Sequence, residues 1–410
     1  MKVWIVNPFD NLPLEGYRPQ RYWLMSQAFA AAGHDVVYWT SDFSHANKAP
    51  RIVDDPSKWP DGYPSVSNGV VEVRLVPTPP YAKNVSLARV RSHRALARNW
   101  LTCAAAEKSK PDLVVASLPP LRLPFLAKAF ADSVGAAFVV DVMDDWPGTF
   151  YRLLPRCLRW LGPMAFAGSR RLARHLYARA DLVTGCSDRY ETLARAAGAG
   201  AFHRAYHGIE LPSPPVRTAR AAAPSDAISL VYVGGLGRTY DLETLLRAVE
   251  RLPDSTLDVA GAGEQERLFV ACRSPRVRFH GYCDEKRLAE LLAAADIGIV
   301  PMRGDSCVGV PYKLADYAAA GLGVVSCLGG ESGTLLARYG AGAEYRWADA
   351  DSLVAAIRSL AERLPAVRSA SRKLAESEFD AKRIYAGYVA VCERAVARKR
   401  ATAGCTEACK

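Results

Sequence analysis

Residues 296–326, DIGIVPMRGDSCVGVPYKLADYAAAGLGVVS, hold the side chains best spaced for chemistry in this sequence. Lys313 and Asp316 stand three apart on a short helix predicted from about 312 to 320, which puts them on neighbouring faces. The lysine suits a phosphate. The carboxylate suits a pair of sugar hydroxyls, because it accepts two hydrogen bonds at once. Pro311 opens the helix where a missing N–H costs least, and it aims loop 303–310 at the positive helix end, a natural seat for an anion. The alternative is that both residues are solvated helix polars. The apolar runs 297–300 and 323–326 read as buried strands and Gly321 ends the helix, so the unit is strand, loop, helix, strand.

The rest of the chain has to position that unit. At 410 residues it exceeds what one hydrophobic core usually serves, so two domains are expected. No apolar run approaches the length that crosses a bilayer. The five-residue run in MKVWIVNPFD is too short for a signal-peptide core and serves directly as a first strand, so a cytoplasmic protein is expected. Ten cysteines are scattered without a C-x-x-C pair, as small hydrophobes in a reducing compartment would be. Of these, Cys405 and Cys409 in the tail are the candidates for pairing. His203 and His207 have the spacing of zinc ligands, but no acidic or thiol partner lies near them, and no metal is expected.

The net charge of +11 is unevenly spread. Between Trp146 and Ala180 there is no acidic residue, while Arg152, Arg156, Arg159, Arg170, Arg171, Arg174 and Arg179 alternate with aromatic and aliphatic side chains. Such a segment fits an anionic membrane surface. It also reads as a helix with an arginine-rich solvent face, or as a nucleic-acid contact. The last is disfavoured because no base-reading module accompanies it, so no nucleic-acid partner is expected. Arg89, Arg91, Arg94 and Arg98 form a second basic helix open to the same alternatives.

Strands and helices alternate from the N-terminus to about residue 210, with an irregular stretch at 41–68. The composition then shifts to LPSPPVRTARAAAPSD over 211–226, a proline- and alanine-rich linker. Alternation restarts at 228 and continues to about 345, where two short helices follow. An amphipathic helix over 382–399 closes the chain ahead of a disordered tail, 400–410. Such alternation implies parallel sheets with right-handed crossovers and ligands at the carboxyl ends of the strands. The fold class is therefore α/β.

Four segments in register, LVYVGGLGRTYDLETLLRAVE, LDVAGAGEQERL, VRFHGYCDEKRLAELLAAADIGIVPM and PYKLADYAAAGLGVVS, resemble the retaining, nucleotide-sugar-dependent glycosyltransferases of family four. The branch they resemble most builds bacterial lipopolysaccharide, capsule and exopolysaccharide. AAAGHDVVYWT, VVDVMDDWPG, VTGCSDRYETL and YHGIE extend the resemblance into the first half, where relatives carry Asn-Gly in place of His207-Gly208. It implies the GT-B fold, two doubly wound Rossmann-like domains facing a central cleft. On that reading residues 1–210 bind the acceptor and 227–381 the nucleotide sugar.

The resemblance carries residue by residue. Asp316 falls at the acidic position that holds the ribose hydroxyls. Its family partner eight residues earlier is Val308 here, so contacts to the donor sugar must come from elsewhere in the loop, with Asp305 as candidate or else a plain loop cap. The usual Arg and Lys after the first strand of the second domain are Gly235 and Tyr240. Arg238 is the cation left within reach, and Lys313 is the second. Gly234, Gly235 and Gly237 would let the backbone approach the diphosphate closely. Gly16, with Arg18 and Arg21, would form a facing loop from the first domain, or an ordinary strand-to-helix turn. Asp144 matches a frequent aspartate, but the preceding His or Arg is Met143, which weakens a side-chain base there.

The implied donor is a nucleotide-diphosphate sugar, UDP favoured over GDP, with no metal, since no Asp-x-Asp is present. The implied acceptor is lipid-linked or a growing glycan at the inner face of the membrane. A non-catalytic nucleotide-sugar-binding protein and a transferase for a soluble small molecule are the alternatives. A dehydrogenase is remote, because the first strand leads into NPFDNLPLEG rather than a Gly-x-Gly-x-x-Gly turn.

Overall fold

The computed structural model describes residues 1–51, 65–67, 71–154, 156–211, 227–303 and 306–408. The chain divides into two compact units. The first comprises Met1–Ala205 with Lys382–Lys410, and the second Tyr206–Ala381.

In the first unit the strands are β1 (Lys2–Val6), β2 (Asp35–Ser41), β3 (Phe43–Ser44), β4 (Ala49–Pro50), β5 (Ser65–Ser67), β6 (Glu72–Val76), β7 (Leu113–Leu118), β8 (Ala137–Val142), β9 (Leu182–Gly185) and β10 (Phe202–Arg204). Eight of them form one sheet in the order β10-β9-β8-β7-β1-β2-β6-β5, while β3 and β4 make a small antiparallel hairpin. Only β5 runs antiparallel to its neighbour in the large sheet. Every residue of LVVASL in β7 and of AFVVDV in β8 is buried. Such unbroken apolar runs are what a sheet covered on both faces requires.

Helices α1 (Arg21–Ala31), α2 (Leu87–Ala106), α3 (Arg122–Ser133), α4 (Gly162–Ala165), α5 (Ala167–Arg179) and α6 (Asp188–Ala196) connect these strands. Trp4 of β1 stacks on Phe130 of α3 at 5.4 Å, and Trp39 and Trp100 complete a buried aromatic core.

The second unit contains β11 (Ile228–Val233), β12 (Ser255–Ala260), β13 (Val277–Gly281), β14 (Ile297–Val300), β15 (Gly323–Ser326) and β16 (Gly342–Glu344). All pair in parallel, in the order β13-β12-β11-β14-β15-β16. Its helices are α7 (Leu242–Glu250), α8 (Glu266–Val270), α9 (Glu285–Ala294), α10 (Tyr312–Ala319), α11 (Gly330–Tyr339), α12 (Ala350–Ala361) and α13 (Leu364–Leu374). Side-chain caps at Asp241, Asp284 and Asp349 start α7, α9 and α12 by accepting the N–H three residues on. In both units the strand order reverses beside the first strand, between β1 and β7 and between β11 and β14. That is the doubly wound arrangement, with a crevice at each reversal point.

Two differences from the sequence reading have physical causes. Helix α11 was not expected, because it begins at Gly329 and Gly330, both at positive φ, with no side-chain cap to announce it. The closing helix, α14 (Ala381–Ala408), packs into the first unit and runs past Lys399, since its continuation is alanine-rich and free of proline. The 212–226 part of the linker, Asp305, and the side chains of Arg152, Arg156 and Cys405 lie outside the described residues, as does Cys409. The eight described cysteines are free thiols, and among the described residues no helix is long and apolar enough to cross a membrane.

Candidate active site

In the second unit the crevice opens where β11 and β14 end, and both following loops are fixed by backbone pairing. Asp241 donates its N–H to Pro301 O at 2.7 Å and Arg303 to Thr239 O at 2.9 Å, with a bridge between Tyr240 and Met302. On the other side the loop is held by β12. Gly234 N–H bonds Ala260 O, Leu236 N–H bonds Ala262 O, and the Gln265 amide donates to Gly237 O and Tyr240 O.

Gly261 sits against the Gly234 carbonyl so closely that a Cβ would lie 1.9 Å from its oxygen; at φ +150° it also occupies a region that side chains rarely adopt. The GAG of the second resembling segment is thus a packing requirement of the loop.

Helix α10 is pinned to the same point. Tyr317 is fully buried, its ring fills the space above Gly298, where a Cβ would come within 2.3 Å, and its hydroxyl accepts the Val233 N–H at 2.9 Å. The first turn of α10 therefore stands beside Gly234. Lys313 reaches across, its Nζ 3.0 Å from the Tyr240 hydroxyl and 4.1 Å from that ring's centroid. Tyr232, 5.2 Å from the ammonium, walls the other side and donates its hydroxyl to Gly235 O at 2.6 Å. A Cβ on Gly234 would lie 2.5 Å from Lys313 Nζ, so this glycine leaves the room that the ammonium occupies.

The structure thus brings Gly234, Gly235, Gly237 and Lys313 together at one crevice, with half-buried Asp316 one turn along α10. Arg238 lies in the same loop but points outward. Its side chain is 87% exposed and pairs with Glu264 at 2.7 Å. Val308, at the position of the family's second acidic residue, is a third exposed.

The sequence reading passed over Tyr317, Tyr232 and the positioning role of Tyr240. A glycine inside the strand IGIV was the available signal that another group approaches the backbone there. His207 stacks on Tyr312, the residue before Lys313, at 3.8 Å and 23°. An imidazole thus replaces the usual asparagine by packing under the start of α10.

Gly16 and Asp144 belong to the first unit. Gly16 ends a single 3-10 turn, Pro13–Glu15, at φ +81°. Arg51 holds that turn through the Glu15 carboxylate and Asp10 O. Arg21 does not line this loop. It is fully buried, where its Nε and Nη2 each donate to Asp141 at 2.8 Å and its Nη1 to Ala205 O. Burial alone would raise the Asp141 carboxyl, but Arg21, Thr184 and Tyr22 together hold it below the usual carboxylate range. Asp144 follows β8 and accepts from the Thr149 hydroxyl at 3.0 Å, and burial raises its pKa above the ordinary value. Among the described residues no group of three or more His, Cys, Asp or Glu is placed to hold a metal ion.

Residues 19–206 match the family described as Glycosyl transferase 4-like domain, and residues 227–363 match Glycosyl transferases group 1. The protein is a glycosyltransferase of the GT-B fold.

Among solved structures, sucrose-phosphate synthase from Thermosynechococcus elongatus superposes with a TM-score of 0.72 at 15% identity, covering 97% of this chain and 99% of that one. HepE from Anabaena, solved with UDP and glucose, gives 0.63 at 16% identity over 96% and 100% of the two chains. WaaG, a glycosyltransferase involved in lipopolysaccharide biosynthesis, gives 0.60 at 15% over 95% and 99%. No curated protein matches the chain in sequence.

Proposed function

We propose that the protein is a retaining glycosyltransferase that moves a sugar from a UDP-sugar to a lipid-linked or polysaccharide acceptor in bacterial surface-glycan synthesis. The reading rests above all on Lys313 standing at the start of α10 beside the Gly234 turn, where β11 and β14 diverge. That crevice offers a diphosphate one fixed ammonium, a helix N-terminus and unhindered backbone N–H groups. Asp316, three residues on, takes the ribose hydroxyls. HepE's capture with UDP and glucose supports the choice of uridine, and WaaG supports the surface-glycan pathway.

In the reaction the bond between the sugar's anomeric carbon and the β-phosphate oxygen breaks as the acceptor hydroxyl bonds to the same carbon from the same face. The hydroxyl's proton passes to the departing phosphate. Catalysis is then positioning and neutralisation of charge developing on the diphosphate, by Lys313 and by Arg238 once it leaves Glu264. The acceptor binds the first unit, near Gly16 and Asp144, and the acid-free segment 146–180 docks that unit on the membrane. Leu158, Trp160 and Met164 are exposed there, the last two by more than 70%.

A thermal-shift panel of nucleoside diphosphates tests the donor site. A ligand at a hundred times its Kd stabilises by about 2.7 kcal/mol, so UDP should raise the melting temperature by several degrees and GDP by less. No shift with any diphosphate would sink the reading. Anomeric configuration of the product by NMR then decides retention.

A further inference from the structure

At the carboxyl ends of the first unit's strands, a group of side chains surrounds two cations. Phe9 follows β1, His45 sits in the hairpin after β2, Tyr81 follows β6, and Trp146 follows β8. Arg89 of α2 lies among them, its Cζ 5.4 Å from the Trp146 ring centroid and 5.9 Å from those of Phe9 and Tyr81. Lys48 Nζ is 4.9 Å from the Tyr81 centroid and bonds His45 O. His93, one turn along α2 from Arg89, joins the ring at 5.5 Å from Phe9 and 6.0 Å from Trp146.

Among the described residues no carboxylate pairs with either cation. Arg89 spends one N–H on Asn84 O at 2.9 Å and Nε on His93 Nε2 at 3.4 Å, and Lys48 bonds only His45. Burial and the neighbouring positive charges push His45 down to about 4 and His93 to about 3, so both rings are neutral at physiological pH. Simple core packing explains the aromatic contacts but not the charges. Half-buried cations without a counter-ion are costly, and a packed end of the core would use leucine or phenylalanine instead. What is left over is positive charge set beside flat apolar faces.

We propose that this cluster binds a sugar carrying a carboxylate or a phosphate, and that the acceptor is therefore an acidic glycan. The aromatic faces take the apolar side of a pyranose ring while Arg89 and Lys48 supply the missing counter-charge. The location fits, since doubly wound sheets bind ligands outside the carboxyl ends of their strands. This inference rests on the reading that the first unit holds the acceptor and adds its chemical class.

The test is ligand-observed NMR and calorimetry on the full chain with methyl β-glucuronide, glucose 1-phosphate, methyl β-glucoside and inorganic phosphate. The two charged sugars should bind about tenfold or more tighter than the uncharged glucoside. Inorganic phosphate should bind more weakly than glucose 1-phosphate, because it has no ring to stack. Arg89→Gln, or Lys48→Gln should the first variant fold poorly, should remove the preference while UDP affinity is unchanged. Equal affinity for charged and neutral sugars, or a preference that survives both substitutions, overturns the proposal. Phosphate binding as tightly as the sugar phosphate would mean a plain anion site and overturns it as well. UDP binding in the same samples reports the donor reading separately: its loss with acidic-sugar binding intact would sink the proposed donor and leave this site standing.

Discussion

Lys313 Nζ lies 3.0 Å from the Tyr240 hydroxyl and 4.1 Å from its ring centroid, so the tyrosine fixes the ammonium by a hydrogen bond and by its π face at once. A side chain at the place where the family resemblance leads one to look for a cation holds a different cation in position. Lys313→Met should weaken UDP binding roughly tenfold to a hundredfold, the worth of a charge-assisted contact of about 1.5–3 kcal/mol. Tyr240→Phe keeps the ring and should cost only about 1 kcal/mol. Tyr240→Leu should cost more. Calorimetry with UDP reads all three, and equal affinities would show that Lys313 does not touch the diphosphate.

Gly234→Ala places a Cβ 2.5 Å from Lys313 Nζ at a backbone φ of +124°. The lysine must move and the loop must strain, at about 1–3 kcal/mol. Lower thermal stability and weakened UDP binding should appear together. Gly235→Ala, whose Cβ meets open space, is the control for the strain and should melt nearly normally.

Asp316→Asn retains one acceptor of the two that a diol needs, whereas Asp316→Ala retains none. Both variants should weaken uridine as well as UDP, while Lys313→Met should spare uridine. Titration with nucleoside and diphosphate side by side distinguishes the two roles. Uridine affinity unchanged in Asp316→Ala would remove this carboxylate from the site.

Acid should loosen the first unit. His45 and His93 titrate at about 4 and about 3 when folded, against the ordinary 6.5 of an exposed imidazole. Between those values the unfolded chain binds more protons than the folded one, so stability rises with pH across that window and is lost as pH falls below about 6.5. Asp10, raised to about 6 chiefly by burial, acts in the opposite sense between 3.8 and 6 and reduces the net effect. Melting curves from pH 7 to pH 4.5 should show a falling midpoint, and His93→Gln should flatten it.

Exposed Trp160 and Met164 inside a segment without acidic residues predict salt-sensitive binding to anionic vesicles, at about 1 kcal/mol for each arginine near the surface. In sedimentation across a salt series, Arg170→Glu with Arg171→Glu should lower binding at low salt. Trp160→Ser should lower the part that salt does not remove. Equal binding to neutral lipid would leave these arginines as a solvated helix face, which is how Ala173, Leu176 and Tyr177, buried on the opposite side of α5, already use that helix.

The two strands flanking the site were legible because parallel sheets demand apolar runs that few other structures tolerate: 297–300 and 323–326 fall where the sequence put them. Lys313 and the glycine turn were legible as well, since proline, glycine and charge act locally. The support for the site was not. Tyr317 bonding Val233, 84 residues away, and Arg21 bonding Asp141, 120 away, depend on the folded chain. Nothing in the spacing of an arginine tells whether it will face a ligand or a buried carboxylate. The group around Arg89 was hidden for the same reason, its members being contributed by loops far apart in sequence.

Helix α14 completes the first unit from the far end of the chain. Its Tyr388 is buried with its hydroxyl 3.0 Å from Thr184 Oγ1, and Lys399 and Arg400 pair with Asp181 and Asp112. A ribosome that has finished residue 205 has therefore not supplied everything the first unit needs. At about 5–20 residues per second the missing helix arrives on the order of ten seconds or more later. The second unit is contiguous and can close in the meantime, so the order of synthesis is the reverse of the order of completion. A protein cut after Ala381 would leave the Thr184 and Asp181 partners exposed in an open first unit, and that half, not the contiguous second unit, is the one a quality-control protease would find.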